Sequence, residues 1–191
     1  MQVLREVLDN DAIAVTAKET EIPEVFDNLG KKAALAITDS QAVLQAASDT
    51  PEDVPFTTFS TAFARYKADL GVLLEGLKKL DDLKDGDKLL IAEACSHHVN
   101  CDDIGRFKIP KWVEEYTCKK LEYEIAAGHD YPDNLTDYKL IIHCGGCMNT
   151  GLEYKRRIRQ AHAQGVAITN YGILISKTQG LLERVVKQFG F

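Results

Sequence analysis

An α/β fold is indicated by three features of the sequence: short apolar runs, amphipathic stretches between them, and turn residues at the junctions. Apolar runs of roughly four to eight residues predict buried strands, and apolar residues spaced at threes and fours predict helices. Glycine, proline and aspartate mark the junctions. Because alternating strands and helices are typical of parallel sheets covered by helices, the sequence predicts two Rossmann-like parallel-sheet units with flanking helices.

The first unit opens with a helix over residues 2–9, whose apolar residues form one stripe. A strand is predicted over residues 12–17, because this run is apolar and holds no turn residue. A short helix over residues 21–29 has Pro23 in its first turn and Gly30 after its end, and both residues suit those positions.

Two more strands and a capped helix complete the predicted sheet of this unit. The strands cover residues 33–38 and 54–59. Between them, Asp39 or Ser40 caps a helix that runs to Ala47, because a short polar side chain can bond the free amide groups of a first turn.

A single long helix is predicted over residues 60–83 from its regular apolar spacing. It ends at an Asp-Gly-Asp turn at residues 85–87, which predicts a boundary between a domain over 1–83 and a second domain over 84–191. Because the first domain lacks an opening strand, we expect its start to be truncated.

The second domain repeats the strand–helix rhythm. Strands are predicted over residues 88–94, 121–126, 140–143 and 166–169, and helices over residues 110–118, 149–164 and 172–189. The basic run at residues 155–159 is interpreted as a solvated helix face, because charged runs on amphipathic helices usually face water.

Composition excludes several classes of protein. The chain has 191 residues and a net charge of −6, so a basic surface that tracks nucleic acid is not expected. No run approaches about 18 consecutive apolar residues, which argues against a membrane span. The first residues form no signal peptide, so a cytoplasmic location is predicted.

The five cysteines fall into two groups. An odd number in a cytoplasmic chain argues against a disulfide framework. Cys101 and Cys118 stand alone, whereas Cys95, Cys144 and Cys147 lie close to histidines in the sequence.

These three cysteines are predicted to share one crevice. Cys95, followed by His97 and His98, comes just after the strand over 88–94. The strand that begins at residue 140 is followed in the same way by the run His143-Cys144-Gly145-Gly146-Cys147. Ligands of open α/β sheets bind beyond the carboxyl ends of strands. The two glycines would let the backbone turn sharply enough for both flanking thiolates to point the same way. Thiols and imidazoles brought together in this way predict a metal site.

Residue types and spacing leave several alternatives open. A zinc-binding structural or interaction module would use the same Cys and His ligands, and three cysteines could hold an iron–sulfur cluster with an exchangeable fourth ligand. A thioredoxin-like pair does not account for Cys95. A buried turn with unligated thiols would require two coincidental clusters. An enzyme with a cysteine nucleophile is a further alternative, although no feature of the sequence names a substrate.

Three runs in the sequence are similar to the HydF family, the scaffold proteins that mature di-iron hydrogenases. The motif of this family is Cys-x-His followed, after a long gap, by His-Cys-x-x-Cys. The matching runs are Ala92-Glu93-Ala94-Cys95-Ser96-His97-His98, Asp102-Asp103-Ile104-Gly105-Arg106-Phe107-Lys108-Ile109-Pro110 and Ile142-His143-Cys144-Gly145-Gly146-Cys147-Met148. The resemblance extends over nearly the whole chain, because Phe63-Ala64-Arg65-Tyr66-Lys67 and Thr169-Asn170-Tyr171-Gly172 also look like this family.

The resemblance implies a 4Fe–4S cluster held by Cys95, Cys144 and Cys147. His97 and His143 are the candidates for its fourth position or for residues that support its ligands. The family role implies a carrier and no catalyst: a homodimer that accepts a di-iron subcluster with carbon monoxide, cyanide and dithiolate ligands and passes it to apo-hydrogenase. Radical-SAM maturases of the same pathway would be further partners. No Gly-x-x-x-x-Gly-Lys-[Ser/Thr] run occurs, so the family GTPase domain is not expected in these residues.

Overall fold

The computed structural model describes residues 2–94, 104–128, 130–146 and 150–191. The predicted α/β class is confirmed: strands form two parallel sheets with helices packed around them. The helices are α1 Gln2–Asp9, α2 Ile22–Asn28, α3 Val43–Asp49, α4 Phe59–Lys67, α5 Leu70–Leu77, α6 Ile109–Thr117, α7 Gly151–Ala163, α8 Tyr171–Thr178 and α9 Leu182–Val186. The strands are β1 Ala36–Thr38, β2 Phe56–Thr58, β3 Lys88–Glu93, β4 Glu122–Ala127, β5 Leu140–His143 and β6 Ala167–Asn170.

The larger sheet has the strand order β4-β3-β5-β6 and is parallel throughout. Its central strands β3 and β5 are almost entirely buried, as expected for a parallel sheet covered on both faces. The chain passes from β3 to β4 on one side and then returns to β5 on the other side of β3. The strand order therefore reverses between β3 and β5.

The smaller sheet consists of β1 and β2 alone, paired in parallel over three residues each. Its core is completed by the other end of the chain, because Val43 and Phe56 pack with Ile175 and Val185 of α8 and α9. The Thr57 hydroxyl donates to the Val185 carbonyl at 3.0 Å, which fastens the two regions together.

Helix α5 packs on the larger sheet, although the sequence assigned it to the first domain. Leu70, Leu73 and Leu77 are buried in the same core as β3, β5 and β6. A Cβ on Gly76 would collide with the Ile168 backbone, so the helix lies directly against β6. These leucines of the predicted 60–83 helix thus pack within their own chain. The boundary at residue 83 stays a prediction.

The single helix predicted over residues 60–83 is wrong, because the chain breaks between α4 and α5. The Asp69 carboxylate accepts a hydrogen bond from the Val72 amide at 3.2 Å and so starts a new helix. A 3₁₀ turn, Lys78–Asp82, continues α5. The predicted closing helix is also divided, between α8 and α9, because Gly180 takes a left-handed conformation with φ of +73°.

The strand predicted over residues 12–17 is also wrong, since these residues form no strand. A strand requires a neighbour for its backbone groups, and Ile13 is 91% exposed, with nothing in the described part of the chain covering it. Helix α1 likewise has no buried residue. The N-terminal segment, residues 2–17, therefore contributes little to the cores that the described residues form.

Candidate metal centre

The carboxyl ends of β3 and β5 meet where the strand order reverses, which is where doubly wound sheets bind ligands. Cys144 directly follows β5, as the sequence predicted. Its amide donates to the Ala92 carbonyl at 2.8 Å, and its Sγ accepts a hydrogen bond from the Ala94 amide at 3.0 Å. The thiol therefore lies against the end of β3, beside the residue that is bonded to Cys95.

Cys95, Cys147, His97 and His98 lie outside the described residues. Within the described ranges, no group of three or more His, Cys, Asp or Glu side chains is placed together as a metal-binding set. Of the predicted site residues, the structure thus describes Cys144 and His143, and the assignment of the other ligands stays a prediction.

The loop after β5 lies between helices α4 and α7. A Cβ on Gly145 would come within 2.9 Å of the Ser60 Oγ on α4, and a Cβ on Gly146 within 3.0 Å of the Tyr154 ring on α7. Gly146 also has a φ of +63°, a conformation that other residues rarely adopt. The two glycines are therefore needed for close packing as well as for the turn.

Replacing Gly146 with alanine should lower the free energy of unfolding by about 3 kcal/mol, because a left-handed residue and a steric overlap are combined. Gly165→Ala is the matched control: Gly165 has a φ of +69° but nothing lies within 4 Å of its added Cβ. Urea unfolding of both variants separates the free-energy cost of the left-handed conformation, which both variants share, from the cost of the steric overlap, which only Gly146→Ala has. Equal losses would show that contact with Tyr154 is unimportant.

His143 is completely buried, and both of its ring nitrogens are engaged by the protein. Nδ1 lies 2.7 Å from the Cys144 carbonyl, which can only accept, so Nδ1 carries the proton. Nε2 then accepts from the Arg157 guanidinium at 3.2 Å. Burial lowers the pKa of His143 to about 4, so the ring is neutral at pH 7. This arrangement suits a residue that supports the Cys144 backbone.

Arg157 connects the ends of three strands from its position on α7. Its guanidinium donates to the carbonyls of Glu93, the last residue of β3, and of Gly128, just after β4, and to His143 on β5. It stacks over the Tyr131 ring at 4.8 Å and pairs with the Glu153 carboxylate at 2.9 Å.

The prediction that residues 155–159 form a solvated face is wrong at Arg157, which is only 3% exposed.

The sequence contains a signal that could have identified Arg157. Tyr154, Arg157, Ile158 and Ala161 are spaced at threes and fours, and all four are buried on one face of α7. A charged residue within such a stripe is expected to have buried polar partners. The predicted solvated face holds for Lys155, Arg156 and Arg159, which are exposed.

Glu153 predicts an acid-sensitive contribution to stability. Hydrogen bonds from Arg156, and then from Arg157, lower the pKa of Glu153 to about 2 from its ordinary value of 4.5. Because the folded pKa is the lower one, the contribution is complete above pH 4.5 and is lost as the pH falls towards 2. With the carboxylate a third exposed, we expect about 1 kcal/mol. The free energy of unfolding of metal-free Glu153→Gln, measured in urea, should depend less on pH over this range than that of the unaltered protein. An unchanged pH dependence would contradict the contribution assigned to Glu153.

Two family models cover almost the whole chain. The model described as the hydrogen maturase F dimerization domain matches residues 1–68, and the model described as the hydrogen maturase F tetramerization domain matches residues 71–188. The chain belongs to the hydrogen maturase F family. The resemblance seen in the sequence is thereby confirmed, and hydrogenase maturation is the process to which the chain belongs. No curated protein matches the chain.

Other polar residues near the hydrogen maturase F motif have structural contacts. Glu93 is buried at the end of β3, and its Oε2 pairs with the Arg106 guanidinium at 3.2 Å. A Cβ on Gly105 would come within 3.0 Å of the Glu93 Oε1. The Lys108 ammonium donates to the Gln41 side chain at 2.9 Å.

Among the described residues, no helix is long and apolar enough to cross a membrane.

Proposed function

We propose that this chain is a scaffold that holds a 4Fe–4S cluster through Cys95, Cys144 and Cys147. The observation that carries the proposal is the 3.0 Å hydrogen bond from the Ala94 amide to the Cys144 Sγ. Ala94 is bonded to Cys95, so this contact supports a site that spans the ends of β3 and β5. Hydrogen bonds to ligand sulfur are also a feature that tunes iron–sulfur clusters.

The described residues fit an anionic occupant. The guanidinium of Arg157 is buried behind His143, and the backbone of the loop between Cys144 and Cys147 is closely enclosed by Ser60 and Tyr154. Three thiolates and a cluster carry net negative charge, which a dehydrated cation stabilises. The cluster would supply an iron corner with an exchangeable ligand.

Two histidines are candidates for the fourth iron position of the proposed cluster, and they would have different roles. His97 is the candidate for direct coordination, whereas the bonded nitrogens of His143 support a role in holding Cys144. Residues that orient metal ligands in this way usually affect affinity strongly.

The cargo of the scaffold would be the di-iron subcluster with its carbon monoxide, cyanide and dithiolate ligands. We propose that the chain receives this unit with the help of radical-SAM maturases and delivers it to apo-hydrogenase. Binding and release, without turnover of a substrate, are the activities expected of these residues. Family membership supports this role at the level of hydrogenase maturation.

Metal analysis of anaerobically prepared protein tests the proposal. We expect iron and sulfide in the ratio of a 4Fe–4S cluster and an electron paramagnetic resonance signal after reduction. A colourless protein with one zinc per chain would instead support the zinc-binding interaction module. A metal-free protein with a rapidly alkylated Cys144 would favour a cysteine nucleophile.

Self-association is proposed to use the N-terminal segment, residues 2–17, with a second copy of the chain as its partner. This segment lies within the match to the dimerization model, and it exposes Leu8, Ile13 and Val15. Apolar side chains that their own chain leaves uncovered are typical of interfaces. The tetramerization model supports further association of the remaining residues.

The double variant Ile13→Asp, Val15→Asp is expected to reduce the mass in light scattering towards the 21.2 kDa of one chain. Burying the two introduced carboxylates without partners would cost more free energy than a small apolar interface contributes. Phe191→Asp, at a position that is 57% exposed and lies outside both matched ranges, serves as the control and should leave the mass unchanged. A double variant that keeps the mass of the unaltered chain would contradict this interface.

A further inference from the structure

Helix α4 lies along the loop that joins Cys144 to Cys147. Ser60 and Lys67 are seven residues apart and so share one face of the helix, with the buried Ala64 between them. Ser60 approaches the loop at Gly145, and the Lys67 Nζ donates to the Gly146 carbonyl at 3.3 Å. Both residues belong to the segment that matches the dimerization model.

The ammonium group of Lys67 is held in an unusual place for a lysine. The residue is only 8% exposed, although a buried lysine charge loses its hydration and requires compensation. The Gly146 carbonyl and the face of the Phe63 ring, whose centroid lies 4.8 Å from Nζ, provide part of that compensation. Gly146 is bonded to Cys147 and one residue removed from Cys144, so the charge is directed at the backbone between two of the proposed ligands.

Lys67 is a buried cation that contacts this loop, and Arg157 is a second one that contacts His143, the residue before Cys144. Arg157 reaches the loop from α7 through His143, and Lys67 reaches it from α4 through Gly146. Two dehydrated cations near one loop favour an anionic occupant more strongly than one does.

We infer that Lys67 is a positioning residue of the metal centre: it fixes the Gly146 carbonyl and supplies positive charge to an anionic iron–sulfur cluster. The inference rests on the proposed function. The dimerization segment then completes the site in addition to any role in self-association. Lys67 is not a ligand, and it acts through the loop and through its charge.

The test compares variants of the full chain prepared anaerobically with iron and sulfide. Lys67→Met removes the charge and keeps the length of the side chain. At the potential where the unaltered protein is half reduced, the ratio of reduced to oxidised cluster should fall about tenfold, because loss of a nearby positive charge disfavours the more negative state. Lys67→Arg should restore the ratio. Arg65→Met, an exposed position two residues earlier on α4, should leave it unchanged.

Each result decides between alternatives. Loss of cluster from Lys67→Met with an unaltered ratio in the remainder would show a purely structural role and overturn the inference. A ratio equal to that of Arg65→Met would also overturn it. If Lys67→Met does not fold, Lys67→Gln replaces it, and failure of both to fold would show that the charge serves the fold alone. An unaltered protein that binds no cluster would overturn the proposed function, and with it this inference.

Discussion

Replacing Cys144 with serine should reduce the iron and sulfide retained after gel filtration by roughly tenfold or more, since changes to residues behind metal ligands alone can cost that much. Cys144 is the proposed ligand that the structure describes, and its sulfur lies where β3 and β5 meet. A serine hydroxyl can still accept the Ala94 amide hydrogen, so the fold should survive.

Cys118→Ser is the control for this experiment. Cys118 is exposed at the end of α6, where its φ of 53° closes the helix, far in sequence from the motif. We expect it to retain the full amount of iron and sulfide. Equal losses from both variants, or full retention by Cys144→Ser, would contradict the assignment of Cys144 as a ligand.

Replacing Arg157 with methionine should lower the free energy of unfolding by about 3–5 kcal/mol, the range observed when one partner of a buried charged network is removed. The change removes the donor that Arg157 provides to the Gly128 carbonyl and to the His143 Nε2. The Glu93 carbonyl also loses Arg157 but keeps its hydrogen bond from the Gly128 amide at 3.1 Å. The carboxylate of Glu153 also loses one of its two arginine partners. Urea unfolding of the metal-free protein measures this loss.

Arg159→Met provides the matched control, because Arg159 is exposed two residues later on the same helix. It should change stability by less than about 0.5 kcal/mol. Arg157→Lys should recover little, since one ammonium cannot reproduce the forked geometry of a guanidinium. A loss below about 1 kcal/mol in Arg157→Met would show that the three strand ends are held together by other contacts.

The sequence was most informative where one interaction dominates. The strands β3 and β5 are continuous apolar runs, so both were predicted to within one residue, and the position of Cys144 after β5 followed from them. Periodicity could not show the break at Asp69, because the apolar spacing continues across it and only the capping hydrogen bond divides the helix.

Burial of charge was the main feature that the sequence could not provide. Arg157 and Lys67 each have an exposed arginine within two positions in the sequence, and both donate to backbone carbonyls that lie 29 to 79 positions away. The strand predicted at residues 12–17 had suitable residue types but has no neighbouring strand among the residues that the structure describes. Local patterns describe what a segment prefers, whereas these outcomes depend on what the rest of the fold places next to it.

Helix α8 serves two cores at once, with Ile175 in the core of the small sheet and Ile173 and Leu174 in that of the large one. Neither half of the polypeptide can lose its packing without exposing apolar surface in the other. Heating should consequently produce a single cooperative calorimetric transition in each protomer, with no stage at which one half has melted alone.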